Sequence, residues 1–166
     1  MRIIGIDPGM AIVGYCVMDF YPEKFENEKI IINCGSIQTD KSLSNSARVL
    51  EIHNDLSHLL KTYKPDVAAV EQLFYFKNAK TIIPVAQARG VILMTIEMFN
   101  IPVYEYTPLV VKQTVTGYGR SDKKEVKEMV EVLLNGQKLP KLDDATDAIA
   151  IAICYTMCNL ECPLPG

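Results

Sequence analysis

Three β-rich runs crowd the first 37 residues of the chain, and from Ser42 onward the apolar spacing turns helical. That switch of period, from two to about 3.6, restricts the chain to folds in which strands and helices share a core. The first run, Ile3 to Asp7, ends in Asp-Pro-Gly, a step that disfavours helix and favours a turn. Ala11 to Phe20 and Lys29 to Ile37 are the second and third strands, and their short connections predict an antiparallel meander. The polar stretch Tyr21 to Glu28, which contains Pro22, is expected to be an exposed loop.

Leu43, Ala47, Leu50, Ile52, Leu56, Leu59 and Leu60 keep helical spacing up to Tyr63, and Lys64-Pro65 ends that element. Val67 to Val70 is a compact strand that runs into Glu71. A long helix is expected over Ala79 to Phe99, with Pro84 breaking or kinking its first part. Ile101 to Tyr106 is the last strand, and Pro108 to Thr114, Lys123 to Leu134 and Asp144 to about Cys158 are helices. The order implies one α/β domain over residues 1–166, a mixed five-stranded sheet flanked by helices.

Hydrophobic residues make up 49% of the chain and charged residues 22%, a globular balance rather than a disordered one. No apolar run reaches ~18 residues, so no membrane span is expected. The start is too short and too polar for a signal peptide, which points to a soluble cytoplasmic protein. The five cysteines (Cys16, Cys34, Cys154, Cys158 and Cys162) do not form a disulfide framework. Cys154, Cys158 and Cys162 share a helix face, but they lack zinc-ribbon spacing and are better read as packing residues in a loose tail.

Net charge is −3 and the isoelectric point 5.4, a poor overall balance for phosphate neutralisation. Distribution matters more than the total. Lys112, Arg120, Lys123, Lys124 and Lys127 fall in one stretch and Lys77, Lys80 and Arg89 in another, while Glu23, Glu26 and Glu28 lie elsewhere.

Four acids stand out. Asp7 ends the first strand and Glu71 the fourth, and Asp144 and Asp147 share a face at the start of the last helix. If the first and fourth strands are parallel neighbours, Asp7 and Glu71 emerge side by side, where α/β sheets tend to hold ligands. Gathered carboxylates repel one another, and hard divalent cations with oxygen ligands relieve that repulsion. Singly, each acid has a plainer role. Asp7 suits a turn, Glu71 a strand end, Asp143 or Asp144 a helix N-cap, and Asp147 a capping box.

The segments Gly5-Ile6-Asp7-Pro8-Gly9, Val70-Glu71-Gln72-Leu73-Phe74-Tyr75-Phe76-Lys77-Asn78, Gln87-Ala88-Arg89-Gly90, Val111-Lys112-Gln113-Thr114-Val115-Thr116-Gly117 and Asp144-Ala145-Thr146-Asp147-Ala148-Ile149-Ala150 resemble the RuvC family of Holliday junction resolvases. They stand in that family's order and spacing, and the resemblance runs from Met1 to about Tyr155. Gly-Ile-Asp-Pro-Gly alone resembles many ribonuclease-H-like proteins; the segments together are far more specific. The resemblance implies a ribonuclease-H-like fold, a homodimer, and a pair of symmetric nicks in four-way junction DNA during recombination and repair. It makes Asp7, Glu71, Asp144 and Asp147 metal ligands for Mg²⁺, with Mn²⁺ substituting, at two ions per active site.

Two-metal hydrolysis of this kind leaves 5′-phosphate and 3′-hydroxyl ends. By the same resemblance Lys123 adds electrostatic stabilisation at phosphorus, and Lys77, Lys112 and Lys123 contact DNA. Phe74 matches the family aromatic that stacks near the strand crossover, and a complex with a branch-migration motor is implied. The loop from Tyr21 to Glu28 is longer and more acidic than the family pattern, Asp143 adds a fifth candidate acid, and the tail from Cys158 to Gly166 has no family counterpart. Two rival classes share features. An actin-like or sugar-kinase phosphotransferase shares the opening strand but needs a second nucleotide-binding domain. A non-catalytic junction-binding module would be expected to lack one of the four acids.

Overall fold

β1 (Arg2–Asp7) alternates between two apolar environments, with Ile4 and Ile6 in one buried cluster and Ile3 in the other. A period of two demands this of a strand covered on both faces. The computed structural model describes residues 1–23, 28–73, 79–137 and 139–159.

β1 pairs antiparallel with β2 (Ile12–Tyr21), and β2 pairs antiparallel with β3 (Glu28–Gln38). On its other side β1 runs parallel to β4 (Val67–Glu71), and β4 parallel to β5 (Val103–Tyr106). The strand order β3-β2-β1-β4-β5 makes a mixed five-stranded sheet, and it contains both the expected meander and the expected parallel neighbours. The connection expected as a loop over Tyr21 to Glu28 is shorter than that. Tyr21 ends β2 opposite Glu28, which begins β3, so strand pairing claims both ends of the stretch. Residues 24–27 lie outside the described residues.

One face is covered by α1 (Asn45–Tyr63) and α2 (Ala79–Met98). Ser44 caps α1 by accepting from the Ala47 amide at 3.2 Å, and Lys64 ends it in the left-handed conformation ahead of Pro65. Ile52, Leu56 and Leu60 of α1 and Ala88, Ile92 and Ile96 of α2 close over Ile4, Ile6, Ala68 and Val70. Each such isoleucine or leucine contributes roughly 1.5–3 kcal/mol on full burial. Pro84 lies inside α2, which continues through it to Met98 despite the one amide donor that proline removes.

The other face carries α3 (Pro108–Thr116), α4 (Lys123–Leu133) and α5 (Asp143–Cys158). Thr107 caps α3, and Asp122 and Glu125 form a capping box that starts α4. α5 is buried almost all round, from Ala145 to Thr156, as the apolar run in its sequence demands. Two strand glycines let it lie directly on the sheet. A Cβ at Gly5 would come within 2.3 Å of the Ala148 carbonyl oxygen, and one at Gly14 within 2.1 Å of that of Asp144.

Cys16 and Cys34 face each other across β2 and β3, and Cys154 is buried 3.9 Å from the exposed Cys158. Burial pushes the Cys154 thiol up to about 12, the mark of an inert packing residue. Cys162 lies outside the described residues. Among the described residues no helix is long and apolar enough to cross a membrane.

Candidate active site

Parity puts the strand acids on one side. Ile3 and Gly5 face α5, so two residues further on Asp7 leaves the end of β1 on that same face. Val67 and Ala69 also face α5, so Glu71 follows them. The parallel register carries Ile6 against Val70, which leaves Asp7 and Glu71 as the next pair at the carboxyl ends of adjacent strands.

α5 supplies the other acids. Its first turns lie over Gly14, which pairs with Asp7 across the β1–β2 ladder. Asp147 joins Asp7 and Glu71 in a cavity of about 290 Å³ whose wall also holds Pro108, Val111, Lys112, Lys123, Val126 and Ala150. That volume exceeds the roughly 30 Å³ share of a single water several-fold, room for a phosphodiester group. Asp144 does not line the cavity, but its charge reaches Asp7, whereas Asp143 is exposed and its charge acts on Lys123. The capping role open to these acids is not taken up. Leu142 is the N-cap of α5 and no side chain caps the helix, so none of the three aspartates is engaged as a cap.

Burial first, then the charges of Asp147 and Asp144, push the Asp7 carboxyl up to about 7, with Lys123 opposing. Burial, then Asp7 and Asp147, push Glu71 up to about 8, with Lys112 and Lys123 opposing. The Lys123 ammonium donates to Asp147 Oδ2 at 3.0 Å, and that bond is the chief reason its own pKa rises. Neighbouring carboxylates that repel one another and draw in a cation are the donor set that hard divalent ions take. Asp7, Glu71 and Asp147, with Asp144 beside them, fit such ions chemically. Among the described residues no three acid, cysteine or histidine side chains converge tightly enough to hold an ion as they stand. Ion binding by this set would take rotation of the carboxylates toward a common point, with Asp147 Oδ2 held by Lys123.

Lys112 lines the cavity from α3, while Phe74 and Lys77 lie outside the described residues. The sequence sets Arg89 only in a basic stretch and a family-like segment, whereas in the structure it forms an ion pair with Glu105 on β5 and donates Nε–H to the Glu71 carbonyl at 3.4 Å. It ties α2 to the end of the strand that carries Glu71. Nor does it single out Gly5 and Gly14, although glycine inside a strand is itself the signal of a close approach.

Comparison with known proteins places these residues in context. The family model for crossover junction endodeoxyribonuclease RuvC matches residues 3–155. A crossover junction endodeoxyribonuclease RuvC of Thermosipho melanesiensis is 51% identical over 157 residues, covering 95% of this chain and 98% of that protein. One from Caldicellulosiruptor saccharolyticus is 45% identical over 157 residues, covering 95% and 93%. The structure of Thermus thermophilus RuvC in complex with Holliday junction substrate superposes with a TM-score of 0.87 at 29% identity, covering 96% of this chain and 95% of that one. The acid-lined cavity thus sits in a chain that belongs to the RuvC family of crossover junction endodeoxyribonucleases.

Proposed function

We propose that this protein resolves four-way DNA junctions, cutting phosphodiester bonds by metal-dependent hydrolysis at the cavity between Asp7, Glu71 and Asp147. The observation that carries this reading is the meeting of desolvated acids from two strand ends and a helix with two lysines in one cavity. Family membership and the Thermus thermophilus complex with Holliday junction substrate support the substrate class.

Asp7, Glu71, Asp144 and Asp147 are the ligand set for Mg²⁺, or Mn²⁺ in its place, at two ions per site. When bound, such ions stabilise the attacking and leaving oxygens of an in-line displacement at phosphorus. Asp7, the most central of the acids, orients the site by its fixed place at the end of β1. Lys123 hands Asp147 over to the ligand set, and its ammonium turns to the charge that builds on the phosphoryl oxygens. Lys112, which also lines the cavity, neutralises the same DNA strand, as does Lys77, and Phe74 stacks at the crossover. The products carry 5′-phosphate and 3′-hydroxyl ends, which a ligase can seal.

Paired symmetric nicks need two such sites, hence a homodimer. Exposed Ile83, Met94 and Met98 on α2 support that helix as the dimer contact. The working unit is one nuclease domain over residues 1–166, cytoplasmic, acting in recombination and repair beside a branch-migration motor. Incubation with a synthetic four-way junction and Mg²⁺ or Mn²⁺ tests the activity. Symmetric nicking by the natural protein and none by Asp7→Asn is expected; intact nicking by Asp7→Asn overturns the assignment.

A further inference from the structure

The connection between α3 and α4, two helices that line the acid cavity, is a hydrogen-bonded loop that displays an exposed aromatic side chain. Gly117 ends α3 with φ +80°, its amide donating to the Gln113 carbonyl. The Thr116 hydroxyl then gathers the loop, 2.8 Å from the Lys112 carbonyl, 3.0 Å from the Tyr118 carbonyl and 2.7 Å from the Ser121 hydroxyl. It also accepts from the Tyr118 amide at 3.1 Å, and the Ser121 amide donates to the Tyr118 carbonyl at 3.2 Å. Both backbone polar groups of Tyr118 are thus held, yet its side chain is 60% exposed.

The loop's position follows from its neighbours. Gly119 packs against Leu109, since a Cβ there would lie 3.2 Å from Leu109 Cγ. Leu109 follows Pro108, which lines the cavity, and is itself 55% exposed. Beyond the loop, Lys123 reaches back to Asp147. The loop that carries Tyr118 therefore runs from beside Leu109, the neighbour of a cavity-wall residue, to Lys123, which lines the cavity, and its Arg120 is part-exposed. An exposed aromatic and an exposed leucine on the elements that line a phosphate-sized cavity, with cations in the same stretch, match the face of a base whose own phosphate lies in the cavity.

We propose that Tyr118, on the loop that packs against Leu109, is a stacking platform for the base next to the cleaved phosphodiester, and so sets where along the strand the cut falls. This rests on the resolvase reading above. Apolar side chains alone would suit a protein partner equally; the flanking positive charge and continuity with the acid cavity favour a DNA strand.

The test maps the cut of the natural protein on a synthetic junction, then places 2-aminopurine beside that position. Asp7→Asn protein, which holds the junction uncut, should change the aminopurine fluorescence on binding. Asp7→Asn/Tyr118→Ala should lose that change and Asp7→Asn/Tyr118→Phe keep it. In the otherwise natural protein, Tyr118→Ala should lower kcat/KM by about 5- to 150-fold and spread the cut positions, with Tyr118→Phe within about twofold of the parent. Unchanged fluorescence with Tyr118 intact overturns the platform whatever the variants do. So does full signal and unaltered cutting in Tyr118→Ala, which would leave the patch to a protein partner. Failure of the natural protein to cut any junction takes down the resolvase reading, and this proposal with it.

Discussion

Gly14 pairs with Asp7 across the β1–β2 ladder, and directly over Gly14 sits the main-chain carbonyl of Asp144. The missing side chain at Gly14 is what allows the first turn of α5 to touch the sheet at the point where β1 delivers its acid. Gly5 repeats the arrangement under Ala148. Spacing between the acids of the strand and those of the helix is thereby set by backbone contact, with no side chain between.

Gly14→Ala should disturb both stability and the site. The added methyl meets a carbonyl oxygen at 2.1 Å, and backbone cannot swing aside as a side-chain end can. Overpacking of this sort costs about 1–3 kcal/mol, or roughly 2–12 °C in melting temperature for a chain of this size. Thermal melting gives the cost, and cleavage measured well below the melt should fall further than unfolding explains. A variant with the parent's melting temperature and activity would show that α5 does not need the close approach.

Asp7→Asn should separate activity from stability. Loss of a central ligand should cut cleavage by more than about a hundredfold, the most that removing groups behind a ligand costs. Without divalent ions the same change should stabilise the fold, since it removes a buried charge that Asp147 and Asp144 repel. Asp7 binds its proton more tightly folded, at about 7, than its ordinary 3.8. The folded protein therefore loses stability as pH rises from about 4 to about 7, and the advantage of the variant grows over that window and then levels. Melting curves in a chelator across that range check it; an advantage that is flat or shrinks with pH would refute the repulsion.

The placement of Asp7 beside Glu71 is legible in the sequence, because two short apolar runs that each end in an acid need only pair in parallel to bring them together. Asp143, Asp144 and Asp147 are harder to read, since each also suits a helix start. Only the structure shows Leu142 at the cap, with Asp147 and then Asp144 as the helix acids whose charge reaches Asp7. The bond from Lys123 to Asp147 spans 24 residues and two helices, beyond any local pattern. The role of Arg89 within the fold is equally illegible, because its partners are a carboxylate on β5 and a main-chain carbonyl on β4.

Lys123→Ala should cost activity far more than stability. Its bond to Asp147 lies near the surface, with 71% of the lysine side chain exposed, so screening limits its worth to about 0–1 kcal/mol. In a reaction that builds negative charge at phosphorus, loss of one positioned cation costs about 10²–10³-fold in kcat. Melting and single-turnover cleavage of a junction, compared side by side, make the test. A large fall in melting temperature with unchanged cleavage would assign Lys123 a structural role.

Divalent-ion binding should release protons near neutrality. Asp7 at about 7 and Glu71 at about 8 are both partly protonated at pH 7, and neither can ligate a cation fully until its proton leaves. Apparent Mn²⁺ affinity should therefore climb from about pH 6 to about pH 9 and flatten above, once both acids are ionised in the ion-free protein. Calorimetric titration of the DNA-free protein with Mn²⁺ at pH 7, in buffers of differing ionisation enthalpy, reads the released protons directly. Glu71→Gln should shrink that release, because it removes the acid that holds its proton most tightly. Heats that do not depend on the buffer would mean the acids are already ionised, and the low-dielectric, mutually repelling cavity would not be the reason this site takes up metal.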